Sequence, residues 1–224
     1  IMNLYTRLEQ ETQAERAYLT GSPIIQQVFR GDITLDNYTA FLREAYHHVK
    51  HTVPLLMATG AALPESKEWL REAVGEYIEE EMGHQEWILN DLATCGVDKE
   101  AVRHSQPSAA TELMVAYAYD AIRRKNPLCF FGMVFVLEGT SIALADNAAA
   151  MIRKTLDLPG GAFSYLRSHG SLDQEHIVFF RDLMNKIDDK AEQDLIIHSA
   201  KMFFQLYANI FRTLACKDTL GEAA

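Results

Sequence analysis

The sequence predicts an all-α fold, and three observations carry that prediction. Every long segment places its apolar residues at the helical period of about 3.6, and none keeps the two-residue alternation of a half-buried strand. Ser22-Pro23, Pro64-Glu65 and Asn126-Pro127 read as helix starts, and Gly96 and Gly160-Gly161 as breaks between helices.

The elements follow in order. The amphipathic stretch at 3–19 reads as a first helix and 22–30, opened by Ser22-Pro23, as a second. A long helix over 34–60 is expected to bend near Pro54, because proline lacks the donor that a helix interior needs. The period continues over 65–94, over 107–125 and over 127–157, the last two separated by Asn126-Pro127. Ser171 with Gln174 three positions on is a capping-box signal, so a helix is predicted over 171–187, followed by one over 189–215. The chain of 224 residues contains 6 prolines and 12 glycines but no linker-like tract and no repeat, so one domain of seven to eight helices over 1–224 is expected.

Composition narrows the function. A net charge of −10 argues against nucleic acid, and the one short basic cluster, Arg123, Arg124 and Lys125, suits the C-terminal end of a helix. Cys95, Cys129 and Cys216 are odd in number and far apart, which points to reduced thiols and a cytoplasmic setting. The opening "IMNLYTRLEQ" lacks the basic and apolar regions of a secretory signal. The apolar run "PLCFFGMVFVLEGTSIALA" is interrupted by Glu138 and reads as a buried helix, so no membrane partner is expected.

Glu138 is the most informative residue. No other charge stands within ten positions before it, and none follows until Asp146, so it projects into or beside the core, where an unpaired carboxylate costs several kcal/mol. The other helices carry compatible groups. "EYIEEEMGHQEW" places Glu81 and His84 at i and i+3, and "FLREAYHHVKH" puts Glu44, His48 and His51 on one stripe with His47 at its edge. In "SHGSLDQEHIVFF" offsets of four and seven align His169, Asp173 and His176, although a helix starting at Ser171 leaves His169 in the preceding turn. The order Glu, Glu-x-x-His, Glu, Asp-x-x-His is the ligand logic of a carboxylate-bridged di-iron or di-manganese centre in a helix bundle. No cysteine joins the set, which disfavours zinc–thiolate chemistry. Tyr77, one turn before Glu81, and Tyr46, beside the histidines, are candidate redox or supporting residues.

"TLDNYTAFLREAYHHVKH" resembles the early helix of the thiaminase II and pyrroloquinoline-quinone synthase (TenA/PqqC-like) superfamily, whose members share the haem-oxygenase-like fold. Glu81-x-x-His84, Glu138 and His169-x3-Asp173-x2-His176 resemble more narrowly the haem-oxygenase-like di-iron oxidases and oxygenases. The resemblance spans roughly residues 20 to 215. It implies a haem-oxygenase-like bundle with two non-haem irons, or manganese, between core helices. Glu81 and His84 would hold one metal with help from the last motif, and Glu138 would contact or bridge the second. The early-helix ligand is Glu44, with His48 and His51 as alternatives. Dioxygen as co-substrate, a small-molecule substrate, an external electron donor and a homodimer are implied with it.

Other readings differ in particular residues. The surroundings of Cys129 lack the polar and tyrosine positions of a thiaminase II nucleophile, and the acidic core region is unlike the basic cavity of the metal-independent quinone synthase. A ferritin-like metal-storage bundle shares the carboxylate order but has no use for His169. A haem protein gains nothing from several converging carboxylates.

Overall fold

A computed structural model describes residues 2–214, and for residues 170–175 it describes the backbone but not the side chains. Cys216 lies outside the described residues. Two short helices, α1 (Leu4–Glu11) and α2 (Gln13–Thr20), meet at buried Thr12, whose hydroxyl donates to the Leu8 carbonyl at 2.6 Å. Helix α3 (Pro23–Arg30) starts on its proline and ends at Gly31, whose φ of 77° is the left-handed geometry of a helix terminus.

The expected bend near Pro54 is a break four residues earlier, between α4 (Leu35–Val49) and α5 (Thr52–Ala62). Proline cannot donate to the carbonyl four residues before it and crowds that carbonyl, here that of Lys50, so the preceding helix stops there. Pro54 itself sits in the first turn of α5, where its missing N–H costs nothing. The predicted helix over 65–94 is likewise two: α6 (Glu68–Glu81) and α7 (His84–Thr94). Met82 is extended there and Gly83 takes φ 88°, a conformation that glycine adopts without a Cβ penalty.

A short helix, α8 (Lys99–Arg103), was not anticipated; Asp98 caps it by accepting from Glu100 and Ala101. Ser108 caps α9 (Ala109–Asp120), which runs into a π-helical turn ending at Lys125. The long apolar run forms α10 (Phe130–Leu156). The stretch Pro127–Leu156 is long and apolar enough to cross a bilayer by length and composition. Here Phe130 to Val136 are all buried, the mark of a helix surrounded by protein. Helices α11 (Ser164–Met184) and α12 (Lys190–Thr213) pack along it. At Gly132 a Cβ would come within 2.6 Å of the Ala200 amide nitrogen, so α10 and α12 touch backbone to backbone. The helical segments outnumber the expected seven to eight because 3–19, 34–60 and 65–94 are each cut in two and α8 is added.

The start of α11 differs most from expectation. The helix begins at Ser164, not Ser171, and runs through Gly170, so the capping-box signal falls inside it and His169 belongs to the helix.

Candidate metal centre

Glu81 ends α6 and His84 opens α7, so the pair flanks the left-handed turn at Gly83 instead of lying on one continuous helix. The turn still brings them together: His84 Nδ1 is 3.0 Å from Glu81 Oε2. His169 approaches from α11, its ring edge-on to that of His84 at 5.1 Å between centroids. One ligand atom from each of Glu81, His84 and His169 lies within 4.8 Å of the others. The His84 ring stacks on Trp87, one turn along α7, at 4.0 Å and 24°.

A second group adjoins the first. Glu138, 8% exposed in the first half of α10, has Oε1 4.0 Å from His176 Nδ1 on α11. The other ring nitrogen of His176 is 2.7 Å from Glu80 Oε2, and the Tyr77 ring meets the imidazole edge-on at 6.2 Å. The side chain of Asp173, the remaining member of the expected set, lies outside the described residues.

The expected early-helix ligand is corrected. Glu44 turns away from this centre to the start of α9, where it accepts from the Ser108 amide at 3.1 Å, the Ser108 hydroxyl at 3.0 Å and the Thr111 hydroxyl. Those groups sit at a helix N-terminus, which favours a carboxylate. Of the three early-helix candidates, the one that lines the central cavity with Glu81, Glu138 and His169 is His48. It is 3% exposed, and burial, reinforced by His169, His51 and His47, pushes its pKa down to about 3. The neighbouring histidines bond elsewhere: His47 Nε2 to the Ser105 hydroxyl and His51 Nδ1 to the Tyr119 hydroxyl, each at 2.9 Å. Tyr46 packs on His47 and beneath the Lys50 ammonium, not on the cavity.

Three neighbours of the centre went unanticipated. Glu80 was hidden in "EEE", a run that ordinarily reads as a solvated face, and its side chain is indeed 48% exposed. Trp87 and Tyr165 carry no spacing signal distinct from core aromatics, yet Tyr165 meets His169 edge-on at 4.8 Å.

The donor set suits iron. Two imidazoles with one carboxylate, in Glu81, His84 and His169, form the combination that non-haem iron(II) sites use, and Glu138 and His176 supply a further carboxylate and a further imidazole beside it. His48 Nδ1 is buried without a hydrogen-bond partner among the described residues, a state that an ion or a water would relieve. The cavity holds about 170 Å³ and follows α10 from Phe130 to Ile152. Ile24, Val28, Met133, Leu144 and Ala148 contribute to its largely apolar wall, into which Thr52, Thr140 and Ser141 also enter.

Residues 39–208, which include every candidate ligand, match the family described as iron-containing redox enzymes. Among functionally curated proteins none matches the chain at a significant level. A domain of unknown function with a heme oxygenase-like fold from Shewanella denitrificans OS217 superposes with a TM-score of 0.84 at 27% identity, over 96% of this chain and 92% of that one. A TenA homologue from Pseudomonas syringae pv. tomato DC3000 gives 0.76 at 10% identity, over 94% and 92%. Haem oxygenase-1 from the cyanobacterium Synechocystis sp. PCC6803, in complex with haem, gives 0.76 at 13% identity, over 95% and 92%. With its haem-oxygenase-like helical architecture and a match across most of its length, this chain belongs to the iron-containing redox enzyme family.

Proposed function

We propose that this protein is a non-haem di-iron oxidase or oxygenase acting on a small, largely apolar molecule. The observation that carries the reading is the convergence of Glu81, His84 and His169 within 4.8 Å, with Glu138 and His176 beside them, against an apolar cavity. Iron bound there supplies one-electron redox chemistry and a place for dioxygen, with electrons from an external donor. Glu81 and Glu138 would neutralise cationic charge, and His84, His169 and His176 would contribute imidazole nitrogen donors. Because burial keeps His48 unprotonated, its ring nitrogen stays available as a further donor at neutral pH. Tyr77 packs on His176 and orients that ring. The apolar wall excludes water and holds the substrate beside the ligands. A haem reading has less support, because two carboxylates stand among the cavity histidines and axial ligation of haem uses none.

The test is metal content. Wild-type protein loaded anaerobically with ferrous iron should retain about two ions per chain, the number a paired carboxylate site holds. His84→Ala and His176→Ala should each lower that content, whereas His104→Ala and His198→Ala, outside the constellation, should not. Equal losses at all four positions would defeat the assignment.

A further inference from the structure

Helix α11 has no capping side chain of its own: the residue before its first turn is Phe163. Its first amides nevertheless have an acceptor, supplied from another helix. Asp91, on α7, is fully buried and accepts from the Ser164 amide at 3.0 Å, the Ser164 hydroxyl at 2.5 Å and the Tyr165 amide at 2.9 Å. The two amides are backbone donors that no carbonyl within the helix can satisfy. The Tyr38 hydroxyl, donating to the Ala162 carbonyl at 2.6 Å, secures the approach to the same turn.

The position of Asp91 relative to the ligands gives this cap a second consequence. Asp91 stands seven residues beyond His84, so both side chains leave one face of α7, about 10 Å apart along its axis. On α11, His169 follows Ser164 by five residues and Tyr165 by four. The antiparallel helices therefore meet at two rungs, the Asp91 cap and the His84/His169 pair, with Tyr165 joining one rung to the other through its contact with His169. A shift of α11 along α7 would change both rungs together.

We propose that Asp91 is a positioning residue for the metal centre, clamping the start of α11 to α7 so that His84 and His169 reach one ion. The proposal rests on the reading of Glu81, His84 and His169 as metal ligands. Asp91 does not itself bind metal; its carboxylate is consumed by the three donors of α11. Residues that support ligands in this way typically contribute 10- to 100-fold to metal affinity.

The experiment titrates metal-free protein with cobalt(II) and follows the visible absorption of the bound ion alongside a thermal melt. Asp91→Asn keeps the shape and removes the charge, Ser164→Ala removes one donor, and His84→Ala removes a ligand. Ser108→Ala weakens the cap of α9 and controls for loss of stability away from the centre. Asp91→Asn should weaken cobalt binding about tenfold or more and alter the absorption band, as expected of a ligand-supporting residue. Ser108→Ala, with a comparable fall in melting temperature, should leave affinity and spectrum as in wild type. Wild-type affinity and spectrum in folded Asp91→Asn, while His84→Ala loses cobalt, would overturn the positioning role and leave the metal reading standing. Failure of wild type to bind cobalt, or retention of binding by His84→Ala, would overturn both. If Asp91→Asn does not fold, Ser164→Ala decides: weaker cobalt binding than Ser108→Ala supports the proposal, and equal binding overturns it.

Discussion

Gly83→Ala tests whether the left-handed turn between Glu81 and His84 is a built part of the centre. A Cβ added at Gly83 would find nothing within 4 Å, so the substitution creates no clash and its cost is conformational. At φ 88° an L-residue with a side chain is disfavoured by about 1–2 kcal/mol. In a chain of 224 residues each kcal/mol lowers the melting temperature by about 2–4 °C, so a fall of about 2–8 °C is expected. Gly75 is a matched control: it lies in α6, a Cβ added there likewise meets nothing within 4 Å, and its φ is not positive. There the same change should raise stability by about 0.5–1 kcal/mol, because alanine loses less backbone freedom in a helix. Calorimetry of the two variants reads opposite signs from one chemical change. Gly83→Asn should recover part of the loss, since asparagine enters the left-handed region more readily. Iron content should fall in Gly83→Ala as the turn that brings Glu81 to His84 relaxes. A Gly83→Ala variant that melts with wild type, or a Gly75→Ala variant that is equally destabilised, would refute a conformational role for the Gly83 turn.

Three further outcomes follow from the site. Glu44→Ala should cost about 1–2 kcal/mol in a urea melt, because it strips an acceptor from the start of α9, while iron content stays at the wild-type level. Glu138→Gln should leave the metal-free protein as stable as wild type or more so, because burying the charge is costly, and should lose one of the two irons; unchanged iron stoichiometry would remove Glu138 from the centre. The metal-free protein should also weaken in acid. Burial lowers the pKa values of His48, His47 and His51, so below pH 6.5 the unfolded chain takes up protons that the folded chain refuses. Stability is fully present above pH 6.5 and falls by about 1.4 kcal/mol per pH unit for each histidine still neutral, down to about pH 3 for His48. Urea melts at pH 7.5, 6.5 and 5.5 should show a shallower loss in His48→Gln; an identical slope would mean that His48 does not hold its neutral state through folding.

The helical class and most of the groups that converge at the candidate centre were legible because both leave one-dimensional signals. Apolar periodicity persists over every long segment, and the isolation of Glu138 within an apolar run marks a buried carboxylate without any knowledge of its neighbours. The role of Glu44 was not legible. Stripe membership with His48 and His51 says only that side chains leave similar sides of a helix; α9 packs against the same helix and its unsatisfied N-terminal donors claim the carboxylate. His47, His48 and His51 could not be separated either, because what distinguishes them is which neighbour each meets: Ser105, the cavity and Tyr119 respectively. Glu80 was invisible for the opposite reason, since a partly exposed glutamate beside two others has the composition of an ordinary solvated face.

The positions where periodicity misreads the chain are informative in themselves. The break after α4 comes two residues past His48, the left-handed turn at Gly83 separates Glu81 from His84, and the early start of α11 draws His169 into a helix. Each of these three departures adjoins a group that faces the cavity, whereas the break at Thr12 and the added α8 contribute nothing to its lining. Regular helices can present ligands only at fixed offsets of three, four or seven residues along one face. Bringing groups from α4, α6, α7, α10 and α11 to one place needs changes of direction that such offsets do not supply. Pro54 provides one by ending α4, Gly83 a second by its positive φ, and Asp91 a third by accepting the first donors of α11. Local sequence preference and global structure therefore part company around the candidate centre, which is where a fold that positions chemistry is expected to depart from regular geometry.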